Sequence, residues 1–341
     1  MRRQRMHILM ACLWASALGF APGAEAKPEV ELKLATVAPE GSSWMKTMRA
    51  IDTEVRAATG GSVGFKIYPG GVQGDEMVVL RKVRSGQLHG GGFTGVGLGV
   101  IAPALRVMEL PFLFPDYAAI DKAYDCVGPQ LEAQLLQGGF TLLGWAEVGF
   151  VHLFSKAPLA TQAELKKAKM WLWEGDPLAE SFYRAFGVVP VPLAVTDVMT
   201  ALQTGLIDAV YASPLACLAL QWFTRVHHFT DVPITFASGA VVVDKAAFER
   251  IPAQHRDSVQ RICRTRFREL VLATRKQNDE ALVEIAKNGV GRVAVSAEEL
   301  RAFQSVGKSV WQEQKGKLYT AELLDAVQRR DCAAGSSSSA R

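Results

Sequence analysis

The sequence predicts an α/β protein with two domains, and three observations support this. The chain has 341 residues, of which 49% are apolar and 21% charged, and a single hydrophobic core rarely grows beyond about 250 residues. Strand-like runs alternate with helical runs, which is typical of βα units and a mainly parallel sheet. One helical stretch in the C-terminal part is long enough to cross more than one domain.

The individual elements follow from apolar spacing and from turn residues. The strand-like runs cover residues 30–37, 63–68, 142–148, 151–155, 169–173, 208–213 and 239–244. The helical runs cover residues 43–59, 75–85, 177–186 and 197–204, and a further run continues from beyond Pro252 to Lys287. We expect Gly187 and Gly205 to end two helices and Thr196 to cap the fourth. The last run, of about 36 residues, would be about 54 Å long at ~1.5 Å per residue, so it is predicted to brace two lobes.

The first 26 residues have the features of a secretory signal peptide. These are a basic start at Arg2, Arg3 and Arg5, an apolar run over residues 8–21, and the sequence Ala24-Glu25-Ala26. We expect cleavage after Ala26 and a periplasmic mature protein. An uncleaved anchor is less favoured because the apolar run is shorter than the ~20 residues of a membrane-spanning helix.

The charge balance argues against nucleic acid as a partner. The chain has 38 basic and 34 acidic residues, a net charge of +4. Removal of residues 1–26 would leave 35 basic and 33 acidic residues, a net charge of +2. No block of like charge offers a surface for an anionic polymer.

Four cysteines would remain in the mature chain, namely Cys126, Cys217, Cys263 and Cys332. They permit two disulfides in any of three pairings. We expect at least Cys126 and Cys217 to be buried free thiols. The Ala-, Gly- and Ser-rich residues 332–341 are expected to form a disordered tail.

Several motifs between residues 30 and 255 occur together in the order of a known family. They are Leu34-Ala35-Thr36 with Pro39 and Gly41-Ser42, Tyr68-Pro69-Gly70-Gly71-Val72-Gln73-Gly74, Val83-Arg84-Ser85-Gly86-Gln87-Leu88, Leu110-Pro111-Phe112-Leu113-Phe114, Val189-Pro190-Val191-Pro192-Leu193, and Thr200-Ala201-Leu202-Gln203-Thr204-Gly205-Leu206-Ile207-Asp208. In spacing they resemble the solute-binding subunit of tripartite ATP-independent periplasmic (TRAP) transporters, of the dicarboxylate-binding type.

This resemblance implies a two-lobed periplasmic binding protein fold of type II, which closes on its ligand by a hinge and delivers it to TRAP membrane permease subunits. Lobe I would comprise residues 27–150 and 238–274. Lobe II would comprise residues 151–237 and 275–331. No cofactor is implied.

The polar anchors that the family uses for a ligand carboxylate are absent here. The strand arginine falls at Trp171, the arginine of the "G-F-R" segment falls at Val151, and the asparagine of the "D-G-Q-E-N" turn falls at Ala212. A guanidinium gives a carboxylate two charge-assisted hydrogen bonds, which neither Trp nor Val can replace. A simple organic acid should therefore be a poor ligand.

Large apolar side chains take the place of these anchors and predict a cleft for a small apolar or aromatic ligand. The predicted ligand-binding residues are Trp171, Val151, Phe150, Trp173, Gln73, Gly74, Phe93, Trp44, Tyr211 and Ala212. Two alternatives stay open. Strand aromatics are often core residues, and a compensating arginine, such as Arg106, Arg184 or Arg225, could still bind an organic acid.

The sequence gives little support for a metal site, a nucleotide site or a catalytic site. Adjacent His227 and His228 would face opposite sides of a strand, so a metal site is not expected. The glycine-rich residues 90–99 lack the spacing of a phosphate or dinucleotide loop, and they are expected to let backbone approach a ligand. No catalytic motif is evident, so an enzyme is not expected. A non-transport periplasmic adaptor is a further alternative, and the missing arginines resemble a subgroup thought to work with a periplasmic tetratricopeptide-repeat partner.

Overall fold

The computed structural model describes residues 27–329. The predicted signal peptide, with its cleavage site after Ala26, and the predicted tail of residues 332–341 lie outside the described residues. No helix between residues 27 and 329 combines the length and the apolar character needed to cross a membrane.

Ten strands and twelve α-helices alternate along the described chain. The strands are β1 (Val30–Thr36), β2 (Val63–Tyr68), β3 (Gly90–Thr94), β4 (Phe140–Ser155), β5 (Trp171–Trp173), β6 (Val191–Leu193), β7 (Ala209–Ala212), β8 (His228–Thr230), β9 (Thr235–Asp244) and β10 (Gly291–Val293). The helices are α1 (Ser43–Ala58), α2 (Glu76–Arg84), α3 (Gly95–Ile101), α4 (Tyr117–Gln137), α5 (Gln162–Leu165), α6 (Pro177–Phe186), α7 (Val198–Thr204), α8 (Pro214–Ala219), α9 (Lys245–Glu249), α10 (Ala253–Lys287), α11 (Ala297–Gln314) and α12 (Ala321–Arg329).

Local sequence signals place most helix ends correctly. Gly187 and Gly205 follow α6 and α7 with φ angles of 70° and 74°, a left-handed conformation that favours glycine, which confirms both predicted helix ends. The expectation that Thr196 caps α7 is wrong. Thr196 lies inside a short 3₁₀ turn, and α7 begins one residue after Asp197 without a side-chain capping bond.

Two long strands connect two sheet regions. Strand β4 pairs with β9 as far as Val151 and with β7 and β8 from His152 onward. All antiparallel pairings among the described strands involve β4 or β9, whereas β1–β2, β1–β3, β5–β6 and β8–β10 are parallel. The eight-stranded sheet that contains β4 and β9 is therefore mixed, whereas β5 and β6 form a separate parallel pair. The predicted lobe ranges stay a prediction, and we use lobe I and lobe II for them below.

The long helix α10 spans both regions. It has 35 residues, about 52 Å at ~1.5 Å per residue. It packs against α1, then against β4, and finally against α8. Its position is that of the brace predicted from the sequence.

The cysteines differ from the expectation at one position. Cys217 and Cys263 are buried free thiols, and burial raises the pKa of both. Cys126 is disulfide-bonded, so the prediction of a free thiol at this position is wrong.

Candidate functional site

A cavity of about 440 Å³ lies between the two sheet regions. Residues from both lobes and from the strands that cross between them line the cavity. Lobe I contributes residues of β1, β3 and the 3₁₀ helix Pro103–Glu109, and lobe II contributes residues of β5, β7 and the start of α6. The crossing strands β4 and β9 also line the cavity. The volume is within the range of about 300–1,000 Å³ that is usual for small-molecule sites.

The lobe II side of the cavity is an aromatic wall, formed by Trp171, Trp173, Tyr211 and Trp222. The rings of Trp171 and Tyr211 are stacked, with centroids 4.9 Å apart at an angle of 21°. Trp222 meets Trp171 edge-on, with centroids 5.4 Å apart. Alternation along β5 puts Trp171 and Trp173 on one face of the strand, 5.7 Å apart.

The protein itself uses the polar atoms of the aromatic wall. Trp171 Nε1 donates to the Leu193 carbonyl oxygen at 3.0 Å, and the Trp173 backbone N donates to Tyr211 Oη at 3.1 Å. Trp173 Nε1 donates to Asp75 Oδ2, also at 3.0 Å. Neither of these two tryptophans therefore keeps an unused indole N–H.

The cavity also contains a buried ion triad, formed by Arg106 and Glu109 of lobe I and Asp176 of lobe II. Arg106 Nη2 donates to Asp176 Oδ1 at 2.6 Å, and Arg106 Nη1 lies 2.6 Å from Glu109 Oε2. Ser238 donates to Glu109 through its backbone N and its hydroxyl. All three charged residues are at most 6% exposed. Burial raises the pKa of Glu109, and the Arg106 charge opposes this shift.

The glycine-rich helix α3 makes room for buried charged side chains. A methyl group on Gly95 would overlap the Glu109 carboxylate, one on Gly97 would lie 2.6 Å from Glu76 Oε2, and one on Gly99 would lie 2.8 Å from Arg106 Cδ. The sequence predicts that the backbone of the glycine-rich residues 90–99 approaches a ligand. Gly95 does line the cavity, but Gly97 and Gly99 do not.

Glu76 is a further buried carboxyl group at the cavity. It accepts hydrogen bonds from Thr94 N at 2.7 Å, Thr94 Oγ1 at 3.1 Å and Gly97 N at 2.8 Å. These bonds favour the ionised form, but burial outweighs them and raises the pKa of Glu76 to about 8. The carboxyl therefore holds a proton over part of the neutral range.

Contacts at the cavity join lobe I to lobe II, and two sets of them involve buried carboxylates. One is the Arg106–Asp176 ion pair. The other is Asp75, which caps α2 and also accepts hydrogen bonds from Trp173 Nε1 and from Val195 N at 2.9 Å. The two lobes are thus held together at the cavity by groups of the chain itself.

Comparison with known proteins gives the family. The model of bacterial extracellular solute-binding proteins, family 7 (DctP), matches residues 34–317. The chain belongs to this family.

Relatives of this family 7 protein are distant in sequence and similar in fold. A solute-binding protein of Verminephrobacter eiseniae is 32% identical over 211 residues, which cover 60% of this chain and 62% of the relative, so the match spans less than two thirds of that protein. The C4-dicarboxylate-binding periplasmic protein DctP of Rhodobacter capsulatus is 25% identical over 334 residues, which cover 94% of this chain and 97% of the relative.

The fold is that of TRAP periplasmic solute-binding proteins. A Pseudomonas putida F1 structure of this class, with bound D-glucuronate, aligns with a TM-score of 0.79 and 22% identity, covering 90% of this chain and 98% of that chain. The architecture is accordingly an α/β fold with two lobes, mixed sheets and a long bracing helix.

The structure brings most of the predicted site residues of this family 7 protein to one cavity. The residues that line it are Trp171, Trp173, Val151, Phe93, Trp44, Tyr211 and Ala212. Phe150, Gln73 and Gly74 do not line it. Successive β4 residues face opposite sides, and the Phe150 ring packs against Tyr117 with centroids 4.9 Å apart. Ligand contact stays a prediction for all of these residues.

Among the three candidate arginines, Arg106 lines the cavity and Arg184 and Arg225 do not. Arg184 Nη2 pairs instead with Glu313 Oε1 at 2.5 Å on the surface. Sequence reasoning missed Glu109, Asp176 and Glu76. The sequence contained one signal for Glu109, because Arg106 and Glu109 stand three residues apart in the otherwise apolar run 101–114.

Proposed function

We propose that this protein is the periplasmic receptor of a TRAP transporter and captures a small apolar or aromatic ligand between its lobes. The ligand would favour the closed state because it contacts both walls only when the lobes meet. The receptor would then deliver it to the TRAP membrane permease subunits. A tetratricopeptide-repeat protein in the periplasm is a further predicted partner.

The observation that carries this proposal is the aromatic wall. Trp171, which is 1% exposed, lines the cavity where the resemblance places a carboxylate-binding arginine, and its indole N–H is already bonded to Leu193. Val151 and Ala212, at the other two anchor positions, are apolar and also line the cavity. Ring faces and aliphatic groups select for ligand area and shape, not for charge.

The pairing of the basic residues around the cavity also disfavours an anion. Two basic residues, Lys46 and Arg106, line the cavity. Arg106 is paired with the carboxylates of Glu109 and Asp176, and Lys46 is exposed. A buried ligand carboxylate would meet no unpaired guanidinium, and an unpaired buried charge costs several kcal/mol, on the order of 3–5.

A second candidate ligand class is a small organic acid. Arg106 at the cavity favours it, and so do the ligands of the relatives, a C4-dicarboxylate for the R. capsulatus protein and D-glucuronate in the P. putida structure. An acid would have to compete with Asp176 and Glu109 for the guanidinium, which ranks this candidate second. An adaptor that binds no ligand remains the third.

Mass spectrometry of material released from natively purified protein tests the proposal. We expect a lipid or an aromatic compound from the wild type, and much less of it from Trp171→Leu. Trp145→Leu is the matched control, because Trp145 packs against Tyr124 away from the cavity. Recovery of a dicarboxylate would overturn the proposal, and an empty cleft would support the adaptor.

A further inference from the structure

Asp176 holds the position at Arg106 that an anionic ligand would need. It reaches from the start of α6 in lobe II to the guanidinium in lobe I, and both side chains are 4% exposed. Both residues line the cavity, so a ligand and Asp176 would compete for the same cation. Glu109 is different, since its carboxylate is held on the lobe I side by two bonds from Ser238.

The guanidinium keeps hydrogen-bonding capacity that the described residues leave unused. Arg106 Nε has no hydrogen-bond acceptor among them. Arg106 Nη1 forms a close ion pair with Glu109, but the angle is not that of a hydrogen bond. If the Asp176 charge were absent, one carboxylate from a ligand would restore the present charge balance around Arg106. A carboxylate and a guanidinium form paired charge-assisted hydrogen bonds.

We propose that Asp176 is the specificity-determining residue of this cavity, acting as a built-in carboxylate that occupies Arg106 and excludes carboxylate ligands. This inference rests on the proposed function and adds the cause of the selectivity. The aromatic wall removes the usual anchors, and Asp176 neutralises the arginine that remains.

The test is a gain of function in Asp176→Asn. Asparagine is also a preferred N-cap residue, so it can still accept the bonds from Leu178 N and Ala179 N that start α6. The probes are benzoate and its neutral analogue benzamide. The binding affinity for each probe is measured from the change in tryptophan fluorescence and by calorimetry. Asp116→Asn, at the exposed N-cap of α4, is the matched control.

We expect Asp176→Asn to bind benzoate roughly tenfold or more tightly than the wild type does, the factor that corresponds to one charge-assisted hydrogen bond. Benzamide affinity should change less than threefold, on the order of ordinary surface effects. Asp116→Asn should match the wild type with both probes. The double variant Asp176→Asn with Arg106→Met should lose the gain, which would assign it to the guanidinium.

Three results would overturn the inference. The first is equal benzoate affinity in Asp176→Asn and the wild type. The second is a gain that survives the loss of Arg106. The third is failure to fold of both Asp176→Asn and Asp176→Ser, another good N-cap, since Asp176 would then serve the fold and not selectivity. A dicarboxylate recovered from the wild type would overturn the proposed function and this inference together, whereas an aromatic compound recovered there together with no benzoate gain would overturn this inference alone.

Discussion

Two groups of cavity residues, the aromatic wall and the ion triad, differ in how their polar groups are paired. On the aromatic wall, polar atoms are few, and the indole N–H groups of Trp171 and Trp173 bond to Leu193 and Asp75. In the ion triad, Arg106 is paired with the buried carboxylates of Glu109 and Asp176 at distances of 2.6 Å. The aromatic wall avoids charge, and the ion triad contains charge and pairs it.

The proposed selectivity against anions would rest on two independent routes. Trp171 offers no anion site at the position where the resemblance places an arginine, whereas pairing of Arg106 leaves the cation in place but occupied. The second route is the more easily reversed, because one substitution, Asp176→Asn, removes one of the two carboxylates at the guanidinium. Each prediction below changes one group near the ion triad or in the contacts between the lobes, and compares it with a matched group elsewhere.

The largest effect is expected for Arg106→Met. It leaves Asp176 and Glu109 buried without their cation, which should lower the free energy of unfolding by about 3–5 kcal/mol. Arg184→Met is the control, because its partner Glu313 and Arg184 itself are partly exposed, and the loss should stay below about 1 kcal/mol. Urea denaturation followed by circular dichroism measures both, and similar losses would contradict the importance of burial.

The next effect concerns the contacts between the lobes. Asp75→Asn keeps a helix-capping oxygen but points an NH₂ group at N–H donors, so it should destabilise the closed protein by roughly 1.5–3 kcal/mol. Asp244→Asn, at the N-cap of α9, should have a smaller effect because Asp244 caps its own helix. Denaturation gives the energies, and small-angle X-ray scattering should show a larger radius of gyration for Asp75→Asn alone. An unchanged radius would mean that Asp75 does not hold the lobes together.

Gly95→Ala tests whether α3 must be glycine-rich. The added methyl group would overlap the Glu109 carboxylate, so we expect a loss of about 1–3 kcal/mol. Gly128→Ala in α4 is the control, since nothing lies within 4 Å of the added carbon, and it should stay within about 1 kcal/mol of the wild type. Equal stability of the two variants would show that Glu109 can move without cost.

The last prediction is a pH dependence from Glu76, whose effect on stability is the smallest of the four when it is taken per pH unit. Its pKa is raised from 4.5 to about 8 by burial, so the folded protein holds a proton that the unfolded chain releases. The stabilisation is fully present below pH 4.5, falls as the pH rises toward 8, and changes by at most about 1.4 kcal/mol per pH unit. Glu76→Gln should flatten this part of the stability profile, and the exposed Glu298→Gln should not. A profile that is already flat in the wild type would mean that Glu76 is ionised.

Local patterns were sufficient for most of the secondary structure. Gly187 and Gly205 end helices because the backbone there adopts a left-handed conformation, which glycine favours. A few neighbouring residues are sufficient to predict such a helix end. The same reasoning failed at Thr196, where a 3₁₀ turn precedes α7 and removes the capping geometry. It also failed at Cys126, since no local feature distinguishes a bonded cysteine from a buried thiol.

The cavity lining was predictable where the residues are apolar and only partly where they are charged. Trp171, Val151 and Ala212 could be found because they stand at motif positions along the chain. Phe150, Gln73 and Gly74 were also chosen from family motifs, but none of them lines the cavity. The Phe150 ring packs against Tyr117, and the Gln73 side chain accepts a hydrogen bond from Lys82.

By itself, the sequence determined the α/β class and the long helix, because both depend on residues close in the chain. The absence of the carboxylate anchors stays a prediction from the resemblance. Only the tertiary structure decided how Arg106 is used. Its partner Asp176 is 70 residues away, and helix α3 admits both Arg106 and Glu109 through glycines. The free energy of a buried charge depends on what surrounds it in three dimensions, and so the same arginine that suggested an acid-binding site is already paired with two carboxylates of the chain.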